Sequence, residues 1–254
     1  MRGAAFDEGD VVIAVVDYRK GNVASVQRSL IAAGADARIT SDCAQIASAE
    51  AIVLPGVGAF ADAAREMSLS GQMEVVRQRI DRGVPFLGIC LGLHLLFERG
   101  VEGTDASEEE LDRMERGLGV APGVVLRMPD RDVAGRVFKV PHVGWNQVDF
   151  ARGGSGFERG SSPCDGRSSF FESGDASNPA LFDGVASGEN FYFTHSYIAP
   201  SSPFTCATAT HSVEFPAVVR PLSHVFGVQF HPEKSSDAGA VFMRNFVRFV
   251  KRAS

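Results

Sequence analysis

The chain has 254 residues and is 44% hydrophobic, so it is long enough to bury the core of a sizeable domain. Its formal net charge is -6, with 31 acidic and 25 basic residues and no Lys/Arg-rich run, and we therefore expect no nucleic-acid partner and no contact with an anionic membrane. The four cysteines form no C-x-x-C pair, which argues against a metal site and suits a reducing cytosol.

The first elements of the chain alternate between strand and helix patterns. Residues 1–10 are acidic and lack the apolar stretch of a secretory signal, so we expect a flexible N-terminal extension and a cytoplasmic protein. The apolar run 11–16 predicts a strand, and the amphipathic segment 23–33 predicts a helix. The apolar run 51–54 then predicts a second strand.

The same alternation continues up to residue 99. Residues 72–82 predict a helix, and the continuous apolar run 84–89 predicts a strand of the kind that is buried in parallel sheets. Residues 91–99 predict another helix. This order of elements indicates a largely parallel sheet covered by helices.

The second half of the chain has shorter elements. Apolar runs separated by turn residues predict added strands, several of them antiparallel, at 123–127, 190–198, 205–210 and 225–230. Residues 236–252 carry apolar side chains at helical spacing and predict a terminal helix that docks on the core.

Two polar segments interrupt this order. Residues 107–116 are highly charged and open with a capping-box pattern, which predicts a short solvated helix. Residues 151–169 are rich in Gly and Ser and have too few apolar side chains to offset the entropy of ordering, which predicts a surface loop. We therefore expect one domain over residues 11–252, with surface insertions at 102–117 and 151–170.

Cys90 is the first candidate catalytic residue. It lies between Gly88 and Gly92, directly after a predicted strand and directly before a predicted helix. This G-x-nucleophile-x-G pattern forms a sharp turn, in which the helix N-terminus stabilises a thiolate and the backbone N–H of Leu91 can point at an oxyanion. A buried cysteine at a tight corner explains the same pattern equally well.

His231 and Glu233 are the candidate partners of this cysteine. A thiolate nucleophile needs a base that later protonates the leaving amine, and the base needs a group that holds its tautomer. The two residues follow the predicted strand 225–230, so the histidine is expected at a strand end. A surface His and Glu would be the better interpretation of an isolated H-x-E motif, but the cysteine turn favours a triad.

The Pro55-Gly56-Val57-Gly58 loop is a candidate for a second oxyanion donor. It follows a predicted parallel strand, at the edge of the sheet where α/β sites lie. Its glycines allow unusual backbone angles, so the N–H of Val57 or Gly58 can turn towards a carbonyl oxygen. More often such a loop is only a turn.

Taken together and in this order, GICLG, PGVG and FHPE resemble the class I (triad) glutamine amidotransferases. Further stretches are similar to the glutaminase subunit of imidazole glycerol phosphate synthase, an enzyme of histidine biosynthesis. These stretches are Asp17-Tyr18 with Gly21-Asn22, residues 55–60, PHVGWN at 141–146, YFTHSY at 192–197 and HPEKS at 231–235. The resemblance covers residues 11–249.

The resemblance implies a fold and a reaction. The fold is an α/β three-layer sandwich with a mainly parallel central sheet, helices on both faces and an added small antiparallel sheet. Cys90, His231 and Glu233 would hydrolyse L-glutamine to glutamate and ammonia, without a metal or an organic cofactor. The substrate-binding residues implied are His94, His195 and Ser196, and the oxyanion donors are Leu91 and the Val57-Gly58 pair.

The resemblance also implies a partner. In this family the glutaminase forms a heterodimer with a (β/α)8 barrel synthase subunit, and ammonia passes through the barrel. Asn22, His142, Trp145 and Lys234 would face that subunit. A turn with a packed Trp145, the single tryptophan of the chain, is the alternative interpretation of PHVGWN.

Two positions depart from the family pattern. His94 stands where the family usually has a glutamine that helps to bind the substrate, and Arg19-Lys20 replaces a pair that usually contains glycine. Three alternatives stay open at this point: a glutaminase subunit for anthranilate, aminodeoxychorismate or pyridoxal phosphate synthesis, a stand-alone triad hydrolase, and an interaction domain that has kept the fold.

Overall fold

The structure, a computed structural model, describes residues 11–19, 21–104, 111–150 and 180–253. The predicted N-terminal extension, the loop at 151–169 and the first part of the charged segment 107–116 lie outside the described residues. The single domain over 11–252 and its two insertions stay predictions. None of the described helices is both long enough and apolar enough to cross a membrane.

The elements of the described residues follow the alternating order that the sequence predicts for its first half. The helices are α1 (Val23–Ala32), α2 (Cys43–Ser48), α3 (Phe60–Leu69), α4 (Gln72–Asp81), α5 (Leu91–His94) and α6 (Ser236–Ala253). The strands are β1 (Val12–Val16), β2 (Asp36–Thr40), β3 (Ala51–Gly56), β4 (Phe86–Cys90), β5 (Phe97–Gly100), β6 (Ala121–Arg127), β7 (His142–Phe150), β8 (Glu189–His195), β9 (Tyr197–Ile198), β10 (Thr205–Thr210), β11 (Glu214–Leu222) and β12 (Val225–Val228).

The main sheet has a parallel half and an antiparallel half. Its strand order is β2-β1-β3-β4-β12-β11-β10-β7-β8. Neighbours from β2 to β12 run parallel, and neighbours from β12 to β8 run antiparallel. The small sheet, β5-β6-β9, has one parallel and one antiparallel pair.

Apolar clusters on both faces hold the helices against the main sheet. Strand β3 shows why, because successive side chains of a strand point to opposite faces. Val53 joins the cluster that contains residues of α1 and α6, whereas Ile52 and Leu54 join the cluster that contains residues of α3 and α4. Because both faces are covered, β3 reads as a continuous apolar run.

The predicted helix over 91–99 is wrong for most of its length. Helix α5 ends at His94, and β5 follows it and pairs with β6, where Phe97 lies opposite Ala121. Nine of the ten residues from 91 to 100 are buried, so apolar residues are not confined to one helical face. A buried apolar run of this length does not distinguish a helix from a strand.

PHVGWN forms the start of a strand and not a turn. Strand β7 runs from His142 to Phe150 and pairs with β8, so that His142 lies opposite His195 and Trp145 opposite Tyr192. The side chain of Trp145 is 55% exposed, so it is not packed in the core. The alternative interpretation of this segment, a turn with a packed tryptophan, is therefore wrong.

Candidate active site

Three neighbouring parallel strands bring the sequence motifs together. In the register of the sheet, Gly56 at the end of β3 lies opposite Cys90 at the end of β4, and Val228 at the end of β12 lies opposite Ile89. The carboxyl ends of parallel strands meet at one edge of a sheet, where ligands of α/β proteins bind. The PGVG loop, the cysteine turn and the chain leading to His231 therefore start from the same edge.

The turn at Cys90 depends on its flanking glycines. Cys90 has φ 54° and ψ -103°, a backbone conformation that non-glycine residues rarely adopt. A Cβ on Gly88 would lie 2.4 Å from the carbonyl oxygen of Gly92, and a Cβ on Gly92 would lie 1.8 Å from that of Leu54. Only glycine fits at both positions, so the sequence pattern marks a strained turn at which strand and helix approach closely.

The thiol of Cys90 is buried and has two polar neighbours. The residue is 6% exposed. Its Sγ lies 3.9 Å from the carbonyl oxygen of Thr194, to which the thiol can donate, and 3.7 Å from Nε2 of Gln229, which donates to the sulfur.

His231 and Glu233 form a buried pair. Nδ1 of His231 lies 3.0 Å from Oε1 of Glu233, and both side chains are almost fully buried. The short 3₁₀ turn Pro232–Lys234 places the carboxylate two residues after the ring. The backbone N–H of His231 donates to the carbonyl of Tyr192, and the hydroxyl of Ser235 donates to the carbonyl of His231. These bonds fix the ring at the end of the strand.

The electrostatics of the pair favour a protonated imidazole. Burial lowers the pKa of His231, but the neighbouring Cys90 thiol and the Glu233 carboxylate raise it, to about 9 on balance. Nε2 of His231 is buried and has no hydrogen-bond partner among the described residues, so the thiol influences the ring without an aligned hydrogen bond. A protonated ring between a carboxylate and a thiol stabilises the thiolate.

A pocket opens beside Cys90 and contains most of the residues singled out in the sequence. The predicted residues that line it are Val57, Gly58, Cys90, Leu91, His94, His195 and Ser196. Four further residues line it that were not named as site residues. Pro141, Thr194 and Tyr197 belong to the PHVGWN and YFTHSY stretches, whereas Glu102 belongs to neither. His231 and Glu233 do not line the pocket, and both side chains are almost fully buried.

Comparisons with known proteins identify the family of this chain. A family model described as glutamine amidotransferase class-I matches residues 14–249. The imidazole glycerol phosphate synthase subunit HisH of Moorella thermoacetica is 40% identical over 243 residues, which is 95% of this chain and 96% of that protein. The HisH subunit of Rhodopirellula baltica is 39% identical over 239 residues, or 92% and 96% of the two chains. The chain belongs to the HisH family of class-I glutamine amidotransferases. The resemblance stated from the sequence motifs is thereby confirmed.

Solved structures support the fold alone, because their sequences are too different to say more. A structure titled "Crystal structure of glutamine amidotransferase" has a TM-score of 0.61 at 16% identity, and the match covers 93% of this chain and 98% of that chain. The structure of PurLQS from Thermotoga maritima has a TM-score of 0.59 at 17% identity, with 95% and 99% coverage. The predicted fold class, an α/β sandwich with a mainly parallel central sheet and a small second sheet, is confirmed. The small sheet was predicted to be antiparallel, but it is mixed, because β5 runs parallel to β6.

Glu102 is a charged residue of the pocket that the sequence alone did not indicate as a site residue. Burial raises the pKa of its carboxyl to about 7, although a hydrogen bond with the backbone of Phe60 acts in the opposite direction. Glu102 follows β5 and stands at the start of a segment that had been assigned to an insertion. The one signal that could have identified it is its short distance along the chain from the cysteine turn.

His94 and His195 are neutral pocket residues. Burial lowers the pKa of His94 to about 4 and that of His195 to about 3. Nδ1 of His195 donates to the carbonyl of Tyr197 at 2.9 Å, so its Nε2 accepts from Nδ1 of His142 at 3.1 Å. The backbone carbonyl of Ser196 accepts from Met128, which holds β8 and β9 beside the pocket.

The residues predicted to face a partner divide into exposed and buried ones. Trp145 and Lys234 lie around the partly exposed ring of Tyr192. The ring centroids of Trp145 and Tyr192 are 6.0 Å apart, and Nζ of Lys234 lies 5.8 Å from the ring centroid of Tyr192. Asn22 is half-buried at the start of α1. His142 is 5% exposed and its ring stacks on the half-buried ring of His211, so His142 does not present a free surface to a partner.

Proposed function

We propose that this chain is the glutaminase subunit of an imidazole glycerol phosphate synthase of histidine biosynthesis, with Cys90, His231 and Glu233 as its catalytic triad. The relatives reported above carry the name of that synthase subunit. The observation that supports the triad most strongly is the alignment of β4 with β12, at whose adjacent ends Cys90 and the buried His231–Glu233 pair lie. These three residue types form a nucleophile, a base and an orienting carboxylate.

The reaction begins with attack of the Cys90 thiolate on the carbon of the glutamine side-chain amide. A C–S bond forms, and the carbonyl oxygen becomes an oxyanion that the N–H groups of Leu91 and of Val57 or Gly58 stabilise. The protonated His231 transfers its proton to the departing nitrogen, the C–N bond breaks and ammonia leaves. Water, activated by the neutral ring, then hydrolyses the thioester to glutamate. Glu233 keeps the ring in the correct tautomer throughout.

The polar groups of the pocket suit an amino-acid substrate. The carboxylate of Glu102 complements the ammonium group of glutamine, and Ser196 offers a hydroxyl and a backbone N–H to its polar groups. His195 and His94 complete the wall as neutral rings. Nε2 of His94 is already hydrogen-bonded to Gln229 and the residue is only 3% exposed, so His94 contributes to the pocket as part of its wall.

Exposed apolar side chains, among them Trp145, suit a protein partner. Trp145 and Val143 alternate on the outer face of β7 and are each 55% exposed, and Val57 of the PGVG loop is 41% exposed. Aromatic side chains anchor protein interfaces. We assign as the occupant a (β/α)8 barrel synthase subunit that forms a heterodimer with this chain in the cytoplasm and receives its ammonia, with Asn22 and Lys234 at the contact.

Two variants of the nucleophile test this proposal. In the complex with the synthase subunit, Cys90→Ala and Cys90→Ser should abolish synthesis from glutamine and leave synthesis from added ammonium at wild-type level, because only ammonia production uses the thiol. Equal loss of both activities would contradict the assignment. Full glutaminase activity of the isolated chain would instead favour a stand-alone hydrolase.

A further inference from the structure

Gln229 is a fully buried amide beside the nucleophile that the triad does not include. It follows β12 directly and is 0% exposed. Its backbone N–H donates to the carbonyl of Ala217, which fixes the residue to β11. Its side-chain oxygen lies 2.8 Å from Nε2 of His94, and its side-chain nitrogen lies 3.7 Å from Sγ of Cys90. The amide therefore bridges α5 and the catalytic sulfur.

His94 decides which end of this amide faces the sulfur. The amide is oriented with its oxygen 2.8 Å from Nε2 of His94, and because a carbonyl oxygen only accepts hydrogen bonds, Nε2 carries the hydrogen in this arrangement. Burial holds the pKa of His94 near 4, although its contacts with Gln229 and with the backbone of Tyr197 act in the opposite direction, so the ring is neutral at physiological pH and has a single N–H to donate. The carbonyl of Tyr197 accepts from Nδ1 of His195, which leaves the N–H of His94 for Gln229. With its oxygen engaged by this N–H, Gln229 presents its NH₂ group to Cys90.

The orientation of the amide affects the two states of the thiol differently. The neutral thiol can donate to the carbonyl of Thr194 and needs no donor of its own. The thiolate has lost that hydrogen and accepts hydrogen bonds, for which Gln229 offers an N–H from one side and His231 a protonated ring. A hydrogen bond to the charged form of a group favours that form.

We infer that Gln229 is a further catalytic residue of this site, which stabilises the Cys90 thiolate through its side-chain N–H, and that His94 is the positioning residue that holds this amide in the required orientation. The inference rests on the proposed role of Cys90 as nucleophile. It gives a function to the histidine that departs from the family pattern, since an imidazole N–H or an amide N–H can donate equally to the oxygen of Gln229.

The pH dependence of Cys90 alkylation tests this inference on the intact chain. Iodoacetamide is the probe, and the modified Cys90 peptide is quantified by mass spectrometry, which separates it from the other cysteines. Gln229→Met removes the amide at similar volume and should raise the midpoint pH of alkylation by about one unit. His94→Leu should raise it similarly, and His94→Gln, which keeps an N–H donor, should return it close to the wild-type value.

Asn245→Leu is the matched control. Asn245 is also a buried amide, 5% exposed, and donates to the carbonyls of Leu181 and Asp183. None of these three residues lines the pocket or hydrogen-bonds to the sulfur of Cys90. Its replacement should lower the thermal stability as Gln229→Met does and leave the alkylation midpoint unchanged. The titratable groups around the sulfur and its pocket are intact in both Gln229→Met and this control. They are His231 with Glu233, His94, His195, Glu102, Tyr18 and Tyr197.

A second readout covers the catalysed reaction. In the complex, kcat for glutamine hydrolysis by Gln229→Met should fall about tenfold below the midpoint pH, since one unit changes the thiolate fraction tenfold, with little change in KM. An unchanged midpoint and pH profile, together with the stability loss of Asn245→Leu, would overturn the inference and leave Gln229 a structural residue. Glutamine-dependent synthesis by Cys90→Ala would instead overturn the proposed function, whatever the alkylation shows.

Discussion

We expect the substitution Tyr18→Phe to stabilise the protein, because it removes a buried hydroxyl group. Tyr18 is 1% exposed, and its hydroxyl has no hydrogen-bond partner among the described residues. It packs so closely on the PGVG loop that a Cβ on Gly56 would lie 1.8 Å from the hydroxyl oxygen. A buried hydroxyl without a partner costs about 1–3 kcal/mol, and Tyr18→Phe removes it without loss of the ring. The variant should therefore gain about that much free energy of unfolding.

Urea and thermal unfolding of the isolated chain measure this gain. For a domain of this size each kcal/mol corresponds to about 2–4 °C in Tm, so the increase is readily detected. Tyr192→Phe is the control, because Tyr192 is only partly buried and the change should stay within about 0.5 kcal/mol of wild type. A Tyr18→Phe variant less stable than wild type would refute the reasoning, since it would show that the hydroxyl makes a favourable hydrogen bond in the folded protein.

Three further predictions concern the site. Glu233→Gln should lower kcat for glutamine at least about a hundredfold, because His231 loses the carboxylate that raises its pKa and holds its tautomer. Synthesis from ammonium should stay intact. A loss of kcat below about tenfold in steady-state kinetics would contradict this. Gly92→Ala should cost about 3 kcal/mol or more in urea unfolding, because its methyl group would overlap the carbonyl oxygen of Leu54, and wild-type stability would be inconsistent with the tight turn. Burial raises the pKa of Glu102 to about 7, so the carboxylate forms as the pH rises through that value. KM for glutamine should therefore fall over the same pH range. If KM of a Glu102→Gln variant shows the same pH dependence as KM of the wild type, Glu102 does not bind the ammonium group of glutamine.

The local geometry of the proposed catalytic motifs could be predicted because each motif is short. The backbone angles of Cys90 and the close approach of α5 to β3 exclude side chains at Gly88 and Gly92, so the glycines themselves mark the turn. His231 and Glu233 are two residues apart and one short turn joins them. The parallel half of the sheet could also be predicted from short segments, because strands that are covered on both faces have continuous apolar sequences.

The contacts between distant parts of the chain came only from the tertiary structure. His94 and Gln229 are 135 positions apart, and no local pattern indicates that one donates to the other. Residues 97–100 form a strand because β6 offers them a partner, although their apolar pattern is equally compatible with a helix. Whether His142 is buried and Trp145 exposed depends on which face of β7 the core covers. Spacing along the chain determines local backbone geometry, whereas burial, hydrogen-bond partners and pKa values depend on which segments pack together.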